Sequence, residues 1–335
     1  MAALRLVVAT DDYDRIQALK HGEVAIEGCT LDYLTLEPGE TFKRLFRKHE
    51  FDISEMSFST YMVALSRGGF PYRAIPVYLS RVFPHGSIYV RTGSGIREPR
   101  DLKGRLVGAP SYHFTRGLVV RGMLQDEYGL KPGDLRWRIG GVDTPEDYSY
   151  VARPSPPGVE VEFIAPDTHL ARELAHGRID AIISYRDPEM LLAGDARIAR
   201  LFEDFRAAEQ DWYRRTRIFP AMHLVGIRER LLREHPELAL AACRAFEQAK
   251  AACLPRLYDL DSLKVTLPWL VAETRATAAL MGTDFWPYGV EKNARMIETQ
   301  ARWSFEQGLA TKLFAPADLF DPTTLSWKPR SMHPA

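Results

Sequence analysis

Three cysteines in 335 residues are too few and too scattered to form a structural framework. Cys243 and Cys253 fall in one helical pattern, roughly 15 Å apart along the axis and beyond disulfide reach. Cys29 stands alone, and no pair has zinc-finger spacing. An excess of charge of one sign is also lacking. Lys+Arg and Asp+Glu both number 44, so no basic surplus can condense on nucleic acid or an anionic membrane. No stretch approaches the about 18 consecutive apolar residues of a membrane span. The opening MAALRLVVATDDYDR breaks its apolar run with Arg5 and ends acidic. That is a first strand and a turn, not an export leader. Reduced thiols without a leader fit a cytoplasmic protein. Missing too are GxxxxGK[ST], GxSxG and GxGxxG, since the GSG at 93–95 is a turn without the strand context.

What is present is an ordinary globular composition, 46% hydrophobic and 26% charged. The length implies two lobes rather than one core. Apolar runs alternate with helical patterns. LRLVVA (4–9), CTLDYLTL (29–36), FDISEM (51–56) and YRAIPVYLS (72–80) are separated by amphipathic stretches. This βαβαβ order demands crossovers and a mainly parallel α/β sheet. The alternation restarts with RLVGA (105–109), a helix from about Tyr112 to Tyr128, LRWRI (135–139), VEVEFI (159–164) and DAIIS (180–184). Residues 140–159 are rich in Gly and Pro and predict a long loop. From Arg228 onward the pattern is helical, with HLVGI (223–227) just before it.

A helical tail without its own sheet must pack on an existing lobe. If HLVGI returns to the first sheet, SIYV (87–90) and HLVGI are two strands crossing between lobes. That is the hinged, two-lobed arrangement of solute-binding proteins, with ligand in the cleft. Lobe 1 then comprises residues 1–90 and 222–335, and lobe 2 residues 91–221.

Ligands of α/β sheets sit beyond strand carboxyl ends, where helix N-termini present free N–H groups. Four such ends are polar: Thr10 to Tyr13, Glu55 to Thr60 (with Ser57 and Ser59), Pro110 to Arg116 (with Tyr112 and His113), and Ser184 to Asp187. Hydroxyl residues there also serve as simple N-caps. Arg116 and Arg186 are less easily explained, because a cation in a first helical turn opposes the dipole, whereas Arg suits bidentate carboxylate binding. His85 and His223 each precede a crossing strand, a placement suited to proton transfer near neutral pH. The bland alternative is a pair of hydrogen-bonded histidines at the hinge. A His85/His223/Glu55 metal site is the weaker reading, unsupported by HxxxH or HExxH spacing.

Five segments, EFDISEMSFSTYM (50–62), IPVYLSRVFPHGSIYV (75–90), GIREPRDLKGRLVGAP (95–110), RTRIFPAMHLVGIR (215–228) and ALMGTDFWPYG (279–289), resemble the 4,5-dihydroxyphthalate decarboxylase family. The resemblance runs from about Asp12 to Pro322. It implies a type 2 periplasmic-binding-protein-like fold and a cytoplasmic enzyme that removes CO₂ from a hydroxylated aromatic dicarboxylate without an organic cofactor. It further implies proton roles for His85 and His223. Arg81, Arg116 and Arg186 become carboxylate clamps, with Arg15 in reserve, and Ser57 and Ser59 hydrogen-bond donors; Glu55, Tyr112 and His113 complete the expected site. Three alternatives stay open: a solute-binding module for an aromatic carboxylate without catalysis, another enzyme on the same fold, and metal-assisted decarboxylation. Oligomeric state is open as well, a homo-oligomer included.

Overall fold

The structure is a computed structural model that describes residues 3–145 and 156–330. The chain first lays down β1 (Leu4–Thr10), α1 (Gln17–Lys20), β2 (Cys29–Thr35), α2 (Pro38–Lys48), β3 (Ile53–Ser57), α3 (Phe58–Arg67) and β4 (Tyr72–Arg81). It then builds β5 (Ile88–Arg91), β6 (Leu106–Ala109), α4 (Thr115–Tyr128), β7 (Arg136–Ile139) and β8 (Val161–Phe163). Next come α5 (Leu170–Ala175), β9 (Ala181–Ile183), α6 (Glu189–Leu192), β10 (Ile198–Arg200), α7 (Phe205–Thr216) and β11 (Ala221–Arg228). Helices α8 (Glu229–Glu234), α9 (Leu238–Cys253), α10 (Leu270–Met281), α11 (Ala294–Glu306) and α12 (Pro316–Leu319) complete it.

The strands form two sheets, five-stranded β2-β1-β3-β11-β4 and six-stranded β10-β5-β9-β6-β7-β8. In the first, β1 is parallel to β2 and β3, while β11 inserts antiparallel between β3 and β4. HLVGI therefore does return to the first sheet, as its position in the sequence predicts. Neither SIYV nor HLVGI is itself a bridge between sheets, however. β5 lies wholly in the second sheet and β11 wholly in the first, so the crossings are the connections at 82–87 and 201–220. These run side by side at the hinge, where the Val82 N–H donates to Pro220 O at 3.3 Å. Residues 146–155, half of the long loop expected over 140–159, lie outside the described residues.

Local sequence explains the layers. Thr41, Phe42, Leu45 and Phe46 make one face of α2 apolar, and that face lies on β3. All of β3 is buried, as a central strand covered on both faces must be. A fully buried Glu55 in such a strand requires internal partners. The helical tail divides its contacts. α9 lies on β4 and the first helix, whereas α11 packs on both α3 and α4, one helix from each sheet. Gly122 on α4 makes that approach close, because a Cβ there would fall inside the Trp303 ring. No helix among the described residues is long and apolar enough to cross a membrane.

Candidate active site

Register places the first half of the site. His223, third residue of β11, lies opposite Ser57, the last residue of β3, and Glu55 lies two residues earlier on that strand. Period-2 alternation then puts the Glu55 and Ser57 side chains on one face. His223 Nδ1 meets Glu55 Oε1 at 2.6 Å, the Tyr13 hydroxyl donates to the same oxygen at 2.6 Å, and the Asp11 N–H donates to Oε2 at 2.9 Å. Burial alone pushes the Glu55 carboxyl up. The hydrogen bond and charge of His223, with Tyr13 and the Asp11 N–H, outweigh it and hold Glu55 below its usual range. A carboxylate accepts only, so Nδ1 carries the hydrogen and Nε2 remains for chemistry. The Phe42 ring stands edge-on to the imidazole at 4.9 Å and limits its rotation. Glu55 is fully enclosed, whereas the His223 side chain keeps 18% of its surface open. Only the imidazole end of the pair can meet a ligand.

The second half comes from two helix N-termini that face each other. Ser57 caps α3, its Oγ accepting from Thr60 N. That Oγ also lies 3.0 Å from Thr115 Oγ1, at the first residue of α4, and the Ser59 N–H donates to the same Thr115 oxygen at 3.1 Å. These bonds join the two sheets' helices directly. The Ser59 hydroxyl is buried without a partner. Arg116 follows, largely enclosed, with one bond of 3.3 Å to Ser87 Oγ and its Nε unpartnered. Burial lowers the guanidinium's pKa, only partly offset by Tyr89, Glu209 and Asp187 nearby. A guanidinium stays charged in proteins, and this one makes no ion pair within 4 Å among the described residues. An unpaired, enclosed cation is a ready anion site.

His85 lies in the first crossing, on a short 3₁₀ turn from His85 to Ser87. Its ring is buried edge-on to Phe202 at 5.0 Å and Trp212 at 5.9 Å, with Nδ1 closed off without a partner. Burial and the Arg215 charge lower its pKa to about 4, so it is neutral at pH 7. Glu209, on α7, accepts the Gly86 N–H at 3.1 Å, and burial raises its carboxyl's pKa. A Cβ at Gly86 would come within 2.9 Å of the Phe205 ring, so the turn closes tightly against α7. The two histidines thus do not touch. They are linked by a run of contacts from His223 and Ser57 through Thr115 and Arg116 to Ser87, two residues from His85. Among the described residues no group of three or more His, Cys, Asp or Glu side chains gathers to hold a metal ion. The His85/His223/Glu55 metal set does not assemble.

The remaining expected site residues have contacts of their own. Arg81 is not free to clamp a carboxylate in the cleft: its Nη groups donate to Phe219 O at 2.9 Å, Pro287 O at 3.0 Å and Asn293 Oδ1. Arg15 donates to Leu79 O and Asp14 and lies between the Tyr13 and Trp286 rings, each centroid 4.3 Å away. Tyr112 points into the second sheet's core, edge-on to Trp137 at 5.6 Å. His113 is buried. Arg186 precedes α6 in a turn and pairs with Asp143 at 3.2 Å, so it is not in a helix's first turn. α4 starts at Thr115 rather than Tyr112. Sequence reading did not single out Tyr13, Thr115 or Glu209. Tyr13 and Thr115 lay within the polar strand ends already noted, but Glu209 sits mid-helix with no local signal.

With this geometry in hand, comparison with known proteins is informative. No family model matches the chain. The 4,5-dihydroxyphthalate decarboxylase of Comamonas testosteroni is 39% identical over 325 residues, 97% of this chain and 98% of that protein. The enzyme of that name from Pseudomonas putida is 39% identical over 215 residues, 64% of this chain and 83% of its own. Among solved structures, the aliphatic sulphonate binding protein SsuA of Escherichia coli superposes with a TM-score of 0.54 at 15% identity, covering 99% of this chain and 94% of its own. A putative periplasmic sulfonate-binding SsuA from Methylobacillus flagellatus gives 0.57 at 15% identity, covering 99% of both chains. Those identities speak to the fold alone. The chain belongs to the 4,5-dihydroxyphthalate decarboxylase family, carbon–carbon lyases, here on a type 2 periplasmic-binding-protein-like fold.

Proposed function

We propose that this protein decarboxylates 4,5-dihydroxyphthalate or a close relative, without an organic cofactor and in the cytoplasm. The observation that supports this most is the opposition of two groups. A His223–Glu55 pair sits at the end of one sheet, and an enclosed guanidinium without an acidic partner, Arg116, sits on the facing helix.

Arg116 holds a substrate carboxylate by charge-assisted hydrogen bonds. The ring hydroxyl para to the departing carboxylate gives up its proton and pushes an electron pair toward the ipso carbon. His223, protonated and backed by Glu55, delivers a proton there from Nε2. A dienone-like intermediate forms, the bond to the carboxylate breaks, CO₂ leaves, and the electron pair restores the aromatic ring. The phenol proton then returns, so one proton is consumed overall. His85, neutral because it is buried, takes the phenol proton on Nε2, its Nδ1 being closed off, and later gives it back. Each positioned proton-transfer group contributes about 10²–10⁴ in rate. The facing dipoles of α3 and α4 favour the dianionic substrate.

Incubating the purified protein with a panel of mono- and dihydroxylated phthalates, following CO₂ release and product mass, tests this. Expected is turnover of 4,5-dihydroxyphthalate or a near analogue to a hydroxylated benzoate one CO₂ lighter. Tight binding of one panel member with no turnover of any would overturn it in favour of a solute-binding module, the function that the names of the SsuA neighbours describe.

A further inference from the structure

A cavity of about 450 Å³ opens beside the hinge, and neither His223 nor Arg116 lines it. Its wall comes from the second crossing (Tyr213 to Phe219) and from the segment between α10 and α11. Arg81 forms part of the lining. It is 5% exposed, and its three protein acceptors leave Nε–H without a partner. Among the described residues no carboxylate lies within ion-pair distance of it; Asp284, on the same cavity wall, is instead held by Lys250 at 3.2 Å and Lys292 at 2.8 Å. The rim adds Arg217 and Arg295, both exposed and neither in an ion pair within 4 Å among the described residues. Phe219, Phe285, Met281 and Met296 supply flat or adaptable apolar surface between these charges.

From this arrangement we infer a second binding site, at the hinge, for a small aromatic carboxylate. An enclosed donor needs an acceptor, and a guanidinium offers one that is charge-complementary. The rim arginines add charge, the lining acid Asp284 is held by two lysines, and the apolar wall takes a single ring. The volume lies within the range of small-ligand sites. An occupant would contact the end of β4 through Arg81, the second crossing through Arg217 and the C-terminal helices through Arg295. It would therefore tie together the three parts of the chain that meet at the hinge.

Benzoate, which carries no hydroxyl and cannot undergo the proposed chemistry, is the probe. Equilibrium dialysis of labelled benzoate against the full-length protein and against Arg116→Ala gives the number of sites. Expected is benzoate binding that weakens about tenfold to a hundredfold in Arg217→Ala/Arg295→Ala. The same binding is expected to persist in Arg116→Ala. Both rim arginines are exposed, so the double variant is expected to fold and to keep its basal turnover, which a thermal melt and a decarboxylation assay check. Three results would overturn the inference: no benzoate binding beyond the cleft, loss of all binding in Arg116→Ala, or unchanged affinity in the double variant. Equal binding of neutral benzamide would overturn its anion selectivity. None of these outcomes depends on whether the cleft catalyses decarboxylation.

Discussion

Glu55→Gln is the sharpest perturbation of the proposed chemistry, because it alters charge and tautomer while keeping shape. Glu55 receives three hydrogen bonds: His223 and Tyr13 at Oε1, and the Asp11 N–H at Oε2. An amide has one acceptor oxygen and one NH₂. If its oxygen faces Tyr13, the NH₂ opposes the Asp11 N–H; reversed, it opposes Tyr13 and forces His223 Nδ1 to accept. The first orientation leaves one buried donor unsatisfied, at about 1–3 kcal/mol. The second moves the imidazole hydrogen onto Nε2 of a neutral ring and removes the counter-charge that stabilises the imidazolium. Either way the proton donor loses its support, and kcat is expected to fall about 10²–10⁴-fold. Because the pair acts as one unit, His223→Ala should fall about as far, and the double variant no further than about threefold below either. Steady-state decarboxylation measures this, with urea unfolding to confirm that the loss of stability stays near the value above. A Glu55→Gln enzyme with kcat within about threefold of wild type, or single losses that multiply in the double variant, would refute the reasoning.

The remaining expectations follow from individual environments. His85 is neutral in the folded chain down to about pH 4 and in the unfolded chain only down to about pH 6.5. The unfolded state therefore binds the extra proton first, and stability is full above the unfolded value and declines as pH falls toward the folded one. That amounts to about 3 kcal/mol across the window, so His85→Leu should flatten the difference between urea midpoints at about pH 7.5 and pH 5. An unchanged difference would show that His85 is not the group responsible. Arg116→Met should raise KM about 10–100-fold without lowering the unfolding midpoint, since a buried cation without an acidic partner gives little stability. A midpoint that drops like a core variant's would make Arg116 structural. Gly122→Ala should cost about 1–3 kcal/mol by driving Trp303 off α4, seen as a lower thermal midpoint; a stability equal to wild type would mean the helices separate freely.

Much of the fold was legible because apolar periodicity survives in it. All four runs read as the first unit are strands, as are RLVGA, LRWRI, VEVEFI, DAIIS and HLVGI. Ile198–Arg200 escaped notice, since three residues bounded by arginines make no run, yet they pair with β5. The site was legible in part. Strand ends pointed to Glu55, Ser57 and Arg116, and the approach to HLVGI pointed to His223. The contacts of Arg81, Arg15 and Tyr112 were not legible, because residue type tells nothing of which way a side chain turns. Arg81 turned to backbone carbonyls brought by residues 219 and 287, far away in sequence.

Sequence alone determined the local elements, the α/β alternation and the family, because those depend on short-range pattern and on long stretches of identity. Only the tertiary structure decided which polar residues met. β11 inserts antiparallel beside β3 and sets His223 against Glu55, a pairing 168 residues apart. The same packing brings Thr115 onto Ser57 and leaves Arg116 without a direct ion pair among the described residues. Partners of that kind are chosen by register and helix docking, and no local window of sequence contains them.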